Sequence, residues 1–174
     1  MTRNARRVRG AFIGLVAGLA GAGAMSLGHR VAGTLLPKPA TAPASREPDP
    51  TVKVASAITR GVGYELPPAQ EPRAGSVVHY AFGGTVGALY GALAEVLPKT
   101  GAGVGLPFGI AVWLGAHVVT VPALGLAQPP ARRPLAPEAE ELGLHLVYGA
   151  TTEIFRRLMS GGIRWLSSVG SSSG

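Results

Sequence analysis

Four histidines and a few carboxylates are the residues of this sequence whose types could support chemistry. One histidine lies near or within each of four apolar segments, at His29, His79, His117 and His145. Ionisable residues within apolar segments are functional candidates because burying them is costly. The imidazoles could share a metal ion, a haem or a proton relay, or each could make its own hydrogen bond. We favour separate hydrogen bonds because no H-E-x-x-H spacing accompanies them, and we predict no catalytic residue, metal or cofactor.

A polar stripe follows one face of the fourth apolar segment. At 100° per residue its members fall within an arc of about 80° and must face protein or water. They are Glu141, His145, Gly149, Thr152 and Arg156. Beside them, the spacing of Glu153 and Arg157 predicts an i, i+4 ion pair. The candidate intramembrane polar site is therefore His79, Glu95, His117, His145, Glu153 and Arg156. The alternative is a purely structural role, in which Glu95 extends to the membrane interface.

Glycines recur every four residues in three of the apolar segments. The repeats are Gly10, Gly14 and Gly18, then Gly83, Gly87 and Gly91, then Gly101, Gly105 and Gly109. A stripe of glycines lets two helix backbones approach closely, so that dispersion contacts can hold apolar helices together in lipid. The repeats predict compact helix packing, either within one chain or against a second copy.

The composition indicates a membrane protein. Of the 174 residues, 47% are hydrophobic and 14% are charged, whereas about a quarter of a soluble protein is charged. The formal charge of +7 comes from basic residues that flank apolar segments, and aromatics amount to 6%, which argues against nucleic-acid binding. Cysteine is absent, which excludes disulfides and thiolate metal sites.

The first apolar segment is long enough to cross a bilayer. The 19 residues 10–28 are uncharged and would span about 28 Å as a helix, and apolar character continues to Leu36. Arginines at positions 3, 6, 7 and 9 predict a cytoplasmic N-terminus. A cleaved signal peptide, with Ala22-Gly23-Ala24 as its cleavage site, is the alternative.

A proline-rich extramembrane loop, residues 37–75, follows the first span. Within it, Asp49 as N-cap and Pro50 at the first helical position predict a helix start. Val52, Ala55, Ile58 and Val62 then recur at helical spacing. This pattern predicts a short amphipathic helix that either lies on the membrane surface or packs over the loop ends of the bundle.

Three further spans are predicted over residues 76–97, 101–127 and 138–160. Pro107 and Pro122 are expected to kink the third span. The fourth begins with Pro137 and acidic residues that favour the helix dipole, and it is expected to end at Gly161-Gly162. Its apolar stretch is short, so a re-entrant or surface helix is the alternative. Beyond it, Ile163, Trp165 and Leu166 resemble an interfacial anchor.

These residues resemble the YagU-like family of small bacterial inner-membrane proteins. The resemblance covers most of residues 8–158. It rests on the glycine-rich first span and on His79-Tyr80, Gly87 to Gly91, Pro107-Phe108-Gly109 with Trp113 and His117, Val121-Pro122 with Gly125-Leu126, and His145 to Gly149 with Glu153 and Arg156-Arg157. It implies the bacterial inner membrane as location and implies no biochemical activity.

The sequence therefore predicts an all-α, single-domain integral membrane bundle of four transmembrane helices over residues 1–174. The expected partners are the lipid bilayer and either a second copy or another membrane protein, with no nucleic acid. Packing information is abundant and chemistry is scarce, so we expect a structural or accessory role rather than an enzyme. The alternatives are a small transporter, channel or proton-responsive protein that uses its intramembrane histidines and glutamates, and an enzyme that acts on lipid or carries haem.

Overall fold

The computed structural model describes residues 2–35, 49–126 and 135–171, apart from the side chains of residues 98 and 162–171. All regular secondary structure in this part of the chain is helical, and no β-strand occurs within it. Its α-helices are α1 (Arg3–Leu35), α2 (Pro50–Gly61), α3 (Glu71–Ala94), α4 (Leu106–Val112), α5 (Val121–Ala123) and α6 (Leu135–Ser171). Three predicted features lie partly or wholly outside the described residues. They are residue 36 of the first span with residues 37–48 of the loop, the end of the third span with its following loop at 127–134, and the side chains of the anchor.

Helix α1 is central and packs along both α3 and α6, while the third apolar segment packs mainly on α6. The order of contacts shows an up-and-down arrangement. Gly10, near the start of α1, lies against Gly91 near the end of α3, and Gly101 lies against Glu153 in the middle of α6. At the opposite end, Gly28 of α1 lies against Leu144 in the first half of α6.

Helix α2 confirms the predicted short helix. The Asp49 carboxylate accepts a hydrogen bond from the Thr51 amide, and Pro50 occupies the first turn, where its missing N–H costs nothing. Ala55 is buried, and Val52 packs against the backbone of Gly75 in α3. One face of α2 therefore packs on the start of α3, while Ile58 on another face is exposed.

The third apolar segment is interrupted rather than kinked at its prolines. A 3₁₀ stretch (Pro98–Gly105) contains non-helical backbone from Ala102 to Val104, and α4 begins only after Gly105. Pro107 lies in the first turn of α4, where a proline fits without bending the helix. A π-helical stretch (Trp113–Thr120) then leads into Pro122, which cannot donate a backbone hydrogen bond. The predicted third span is therefore not one continuous helix: its interruption precedes α4, and the expected kink at Pro107 is absent.

Helix α6 is longer than the sequence predicted. It continues through Gly161-Gly162 to Ser171, so the predicted end at residue 160 was wrong. A glycine pair weakens a helix but ends it only where the backbone turns to the left-handed region, and this backbone stays helical. The predicted second span also differs, since α3 begins at Glu71 and ends at Ala94.

Three helical stretches are long and apolar enough to cross a membrane: Arg3–Leu35, Pro68–Ala94 and Lys99–Ala123. They correspond to the first three predicted spans. Helix α6 is not among them, because its acidic and basic residues lower its hydropathy. The architecture is therefore all-helical with three candidate membrane-spanning helices.

Candidate functional site

Glu153 is the most completely enclosed charged residue among those described, with none of its surface exposed. The Arg156 side chain donates to it through Nε at 2.7 Å and Nη2 at 2.8 Å, and Arg157 donates through Nε. Tyr90 of α3 donates its hydroxyl proton to Oε2 at 2.8 Å. One carboxylate therefore receives hydrogen bonds from two helices.

Arg157 extends this cluster to the interrupted segment. Its Nη2 donates to the carbonyl oxygen of Gly101, in the 3₁₀ stretch before the break. A side chain at position 101 would collide with Oε1 of Glu153, so the absence of a Cβ there lets the backbone reach the ion pair. The predicted Glu153–Arg157 pair is present, and Arg156 adds a second cation.

A second ion pair joins α1 to α3 at the same end of the molecule. Arg9 Nη2 lies 3.3 Å from Oε1 of Glu95, whose side chain is 14% exposed. Glu95 also interacts electrostatically with Arg156. Arg9, Glu95, Arg156, Glu153 and Arg157 thus alternate in sign across three helices, and we call these five residues the charged ladder.

The charged ladder has the chemistry of a structural lock. Every oxygen of Glu153 is occupied by donors, which makes the carboxylate a poor base and a poor nucleophile. In a medium of low dielectric constant such pairs are strong, while a lost partner leaves a costly buried charge. The arrangement is therefore suited to fixing α1, α3, α6 and the interrupted segment relative to one another.

The first two glycine repeats face each other across α1 and α3. A Cβ added at Gly14 would overlap the carbonyl oxygen of Gly87, and one added at Gly18 would overlap that of Gly83. Gly10 is in the same relation to Gly91. The two backbones are in direct contact along the three pairs, which only glycine allows.

The third repeat faces α6 instead of continuing as a helical stripe. Gly105 is a left-handed residue with φ of 81°, and it lies against the carbonyl oxygen of Gly149. Gly109 lies against the carbonyl oxygen of His145, and Gly101 against Glu153. The glycines at 101, 105 and 109 thus meet α6 at 153, 149 and 145, although the backbone between them is not one helix.

Three of the histidines gather near the start of α6, and we call this group with its two carboxylates the histidine cluster: His29, His117, His145, Glu138 and Glu141. His117 Nε2 lies 3.1 Å from Oε2 of Glu138, and both side chains are largely buried. His29 Nε2 lies 3.8 Å from Oε1 of Glu141. The rings of His117 and His145 have centroids 6.2 Å apart, and Nδ1 of His145 lies 2.8 Å from the Glu141 carbonyl oxygen.

His79 makes a separate contact, with its Nε2 3.2 Å from the carbonyl oxygen of Ala22. The predicted polar site is therefore divided. His117 and His145 lie in the histidine cluster, whereas Glu95, Glu153 and Arg156 lie in the charged ladder. His145 and Glu153 are eight residues apart on one helix, or about 12 Å along its axis. Within the described residues, no group of three or more histidine or acidic side chains is placed to hold a metal ion.

Comparison with known proteins identifies a family without a described function. The profile of DUF1440, a protein family of unknown function, matches residues 34–154. The chain belongs to the DUF1440 family. No curated protein and no solved structure matches it significantly.

The DUF1440 match includes Glu153 and three of the histidines but not the first glycine repeat. His79, His117 and His145 lie within it, together with Glu138 and the glycines of α3 and the third segment. Arg156, Arg157 and most of α1 lie outside it. The matched region therefore contains the buried carboxylate and the histidine cluster except His29.

Several contacting residues were not predicted from the sequence. Tyr90 donates to Glu153, and Tyr148 of α6 donates to the carbonyl oxygen of Gly83 at 2.7 Å. Glu138 was treated only as a favourable residue at a helix start, yet it pairs with His117. The available signal was the presence of tyrosines in glycine-rich helices, since a buried hydroxyl needs a partner. Their partners are distant in sequence and could not be chosen from one chain.

Proposed function

We propose that this DUF1440 chain is a multi-pass protein of the bacterial inner membrane with a structural or accessory role and no enzymatic activity. Its helices α1, α3 and α6 and its interrupted third segment would form a bundle of four spans packed through glycines. The observation that carries the proposal is the presence, on α6, of buried polar side chains together with large exposed apolar side chains. The resemblance of its motifs to the YagU-like family of small inner-membrane proteins is consistent with this proposal.

Several polar residues of α6 are buried, while several large apolar residues of the same helix are exposed. His145, Thr152 and Glu153 are buried, whereas Val147, Ile154, Phe155 and Leu158 are all more than 40% exposed. Soluble proteins show the reverse pattern, because charged residues are rarely buried and large apolar patches are rarely left in water. A bilayer accounts for both features, since the apolar side faces lipid and the polar side faces other helices. This favours α6 as a fourth span in spite of its low mean hydropathy.

The basic residues favour a cytoplasmic N-terminus. Seven of the described lysines and arginines lie at the end of the bundle that contains the start of α1: Arg3, Arg6, Arg7, Arg9, Lys99, Arg156 and Arg157. Four lie at the opposite end: Arg30, Lys53, Arg60 and Arg73. An excess of lysine and arginine close to span ends marks the cytoplasmic side.

Cysteine accessibility would test the four spans and their orientation, because the chain has no cysteine of its own. Single cysteines would be placed at the exposed positions Asn4, Ala57, Glu140 and Gly161. In spheroplasts, an impermeant maleimide should label positions 57 and 140, and positions 4 and 161 only after lysis. Labelling of 140 and 161 on the same side would contradict α6 as a span. Release of the protein by alkaline washing would contradict membrane integration altogether.

An accessory role requires a partner or a second copy. The expectation is that in vivo cross-linking followed by purification in mild detergent recovers either a homo-oligomer or a defined membrane protein. A matched sample of an unrelated membrane protein at equal abundance sets the background. Recovery of the isolated monomer alone under these conditions would count against the role.

The histidine cluster favours a second candidate function, in which the protein responds to protons or transports them. His29 of α1 and His117 of the π-helical stretch each approach a carboxylate of α6, so protonation could alter how three elements meet. Proteoliposomes with a pH-sensitive dye inside would test this candidate. Proton flux that exceeds empty vesicles and falls in His117→Gln and His145→Gln would favour it. Flux unchanged by these substitutions would remove it.

A further inference from the structure

The two ends of the described bundle differ in net charge as well as in their number of basic residues. The end with the start of α1 has seven cationic side chains and two carboxylates, Glu95 and Glu153. The opposite end has four cationic side chains and six carboxylates: Asp49, Glu65, Glu71, Glu138, Glu140 and Glu141. The first end therefore has an unbalanced positive charge, and we call it the basic end.

The geometry of the charged ladder directs part of this excess outward. Both carboxylates of the basic end, Glu95 and Glu153, form ion pairs within the charged ladder. The ladder contains three arginines, so its positive charges outnumber its negative ones. Arg157 binds Glu153 and Gly101 through Nε and Nη2, yet its side chain remains 53% exposed. Its guanidinium is thus held by two protein partners, while about half of the side-chain surface stays accessible. Lys99, two residues before Gly101, is exposed as well.

Large apolar side chains that are close to these cations in the sequence are exposed as well. Leu158 follows Arg157, Leu97 precedes Lys99 by two residues, and Val8 and Phe12 flank Arg9. All four are more than half exposed. Exposed cations and exposed apolar side chains at one end of the molecule match an amphiphile that bears a negative headgroup and hydrocarbon chains.

We infer that the basic end binds the headgroup of an anionic phospholipid. Arg157 and Lys99 contact the phosphodiester, and the acyl chains lie along the exposed leucines. Arginine suits the role because its planar fork can form two hydrogen bonds to phosphate oxygens. A nucleic acid or an acidic peptide could bind the same positive charge, but it would leave the exposed apolar side chains uncovered. The inference depends on the proposed membrane placement.

Lipid titration of the purified full-length protein, followed by native mass spectrometry, would test the inference. Phosphatidylglycerol is compared with phosphatidylcholine, and inorganic phosphate is titrated separately. We expect phosphatidylglycerol to bind more tightly than phosphatidylcholine and inorganic phosphate to displace it poorly. Each cation removed should weaken phosphatidylglycerol binding about five-fold. Equal affinity for the two lipids, or full displacement by phosphate at millimolar concentration, would overturn the inference.

Three variants distinguish the proposed headgroup contact from an effect of total charge and from a loss of folding. Arg157→Gln removes the fixed guanidinium but also weakens the charged ladder. Arg7→Gln combined with Lys99→Gln changes only exposed positions of the basic end and should preserve folding. The matched control is Arg60→Gln combined with Arg73→Gln at the opposite end, with an equal change in charge. Equal weakening in both double variants would overturn the inference.

Reconstitution distinguishes this inference from the proposed membrane placement. The full chain is mixed with neutral phosphatidylcholine vesicles and floated on a density gradient. Failure to float with the vesicles would contradict the membrane placement. Flotation with neutral vesicles combined with equal binding of the two lipids would overturn the lipid inference alone.

Discussion

The hydroxyl oxygen of Tyr90 lies 2.8 Å from Oε2 of Glu153, which joins the second half of α3 to the middle of α6. The same ring stacks on Phe108 of α4, with centroids 4.0 Å apart. Tyr90 is itself buried. A single side chain therefore connects the buried carboxylate of one helix with the packing of two others.

Tyr90→Phe should destabilise the protein by about 1–2 kcal/mol, because it removes a hydrogen bond to a buried charge while preserving the ring. The free energy of unfolding in mixed micelles, followed by circular dichroism, would measure the change. Tyr80→Phe is the control, since Tyr80 is partly exposed and no hydrogen bond of its hydroxyl is recorded among the described residues. Equal stabilities of the two variants would show that the Tyr90 hydrogen bond contributes little.

Glu153→Gln should destabilise the protein by about 3 kcal/mol, because it leaves the largely buried cation of Arg156 beside a neutral group. Glu140→Gln serves as the control, since Glu140 is exposed on the same helix and should change stability by less than about 0.5 kcal/mol. Both variants would be compared by thermal unfolding in detergent. A Glu153→Gln protein as stable as the control would exclude the charged ladder as a structural lock.

Gly14→Ala should destabilise the packing of α1 on α3 by about 1–3 kcal/mol, because the new methyl group overlaps the Gly87 carbonyl oxygen and forces the helices apart. Gly33→Ala on the same helix meets no atom within 4 Å, so alanine's better helix propensity should leave stability unchanged or raised by up to about 1 kcal/mol. Unfolding titrations of the two variants provide the comparison. If Gly33→Ala destabilised the protein and Gly14→Ala did not, the contact between Gly14 and the Gly87 carbonyl oxygen would be contradicted.

The sequence predicted those parts of the structure that depend on local rules. The central part of α1 follows from the apolar run over residues 10–28, and the start of α2 follows from the Asp49 cap and Pro50. The glycine spacing indicated where backbones approach. It did not specify which repeat faces which helix, because that depends on the order in which the helices pack.

The break before α4 and the division of the polar site were not predictable in the same way. Proline was expected to bend the third segment, but a proline in the first turn of a helix is tolerated, and the left-handed Gly105 separates the stretches. His117 and Glu138 are 21 residues apart, and their pairing depends on how the π-helical stretch meets α6. Contacts of this kind follow from tertiary packing and carry no local signal.

The pair formed by His117 and Glu138 should be energetically coupled. A double-mutant cycle with His117→Gln, Glu138→Gln and the combined variant is expected to give a coupling free energy of about 0.5–3 kcal/mol at neutral pH. His79→Gln combined with Glu138→Gln supplies the control cycle, because His79 contacts the Ala22 carbonyl oxygen instead, and its coupling should be close to zero. Unfolding free energies of the full set in one detergent give both values. A His117 cycle no larger than the His79 cycle would mean that the 3.1 Å approach contributes nothing to stability, and the histidine cluster would then lose its link between the π-helical stretch and α6.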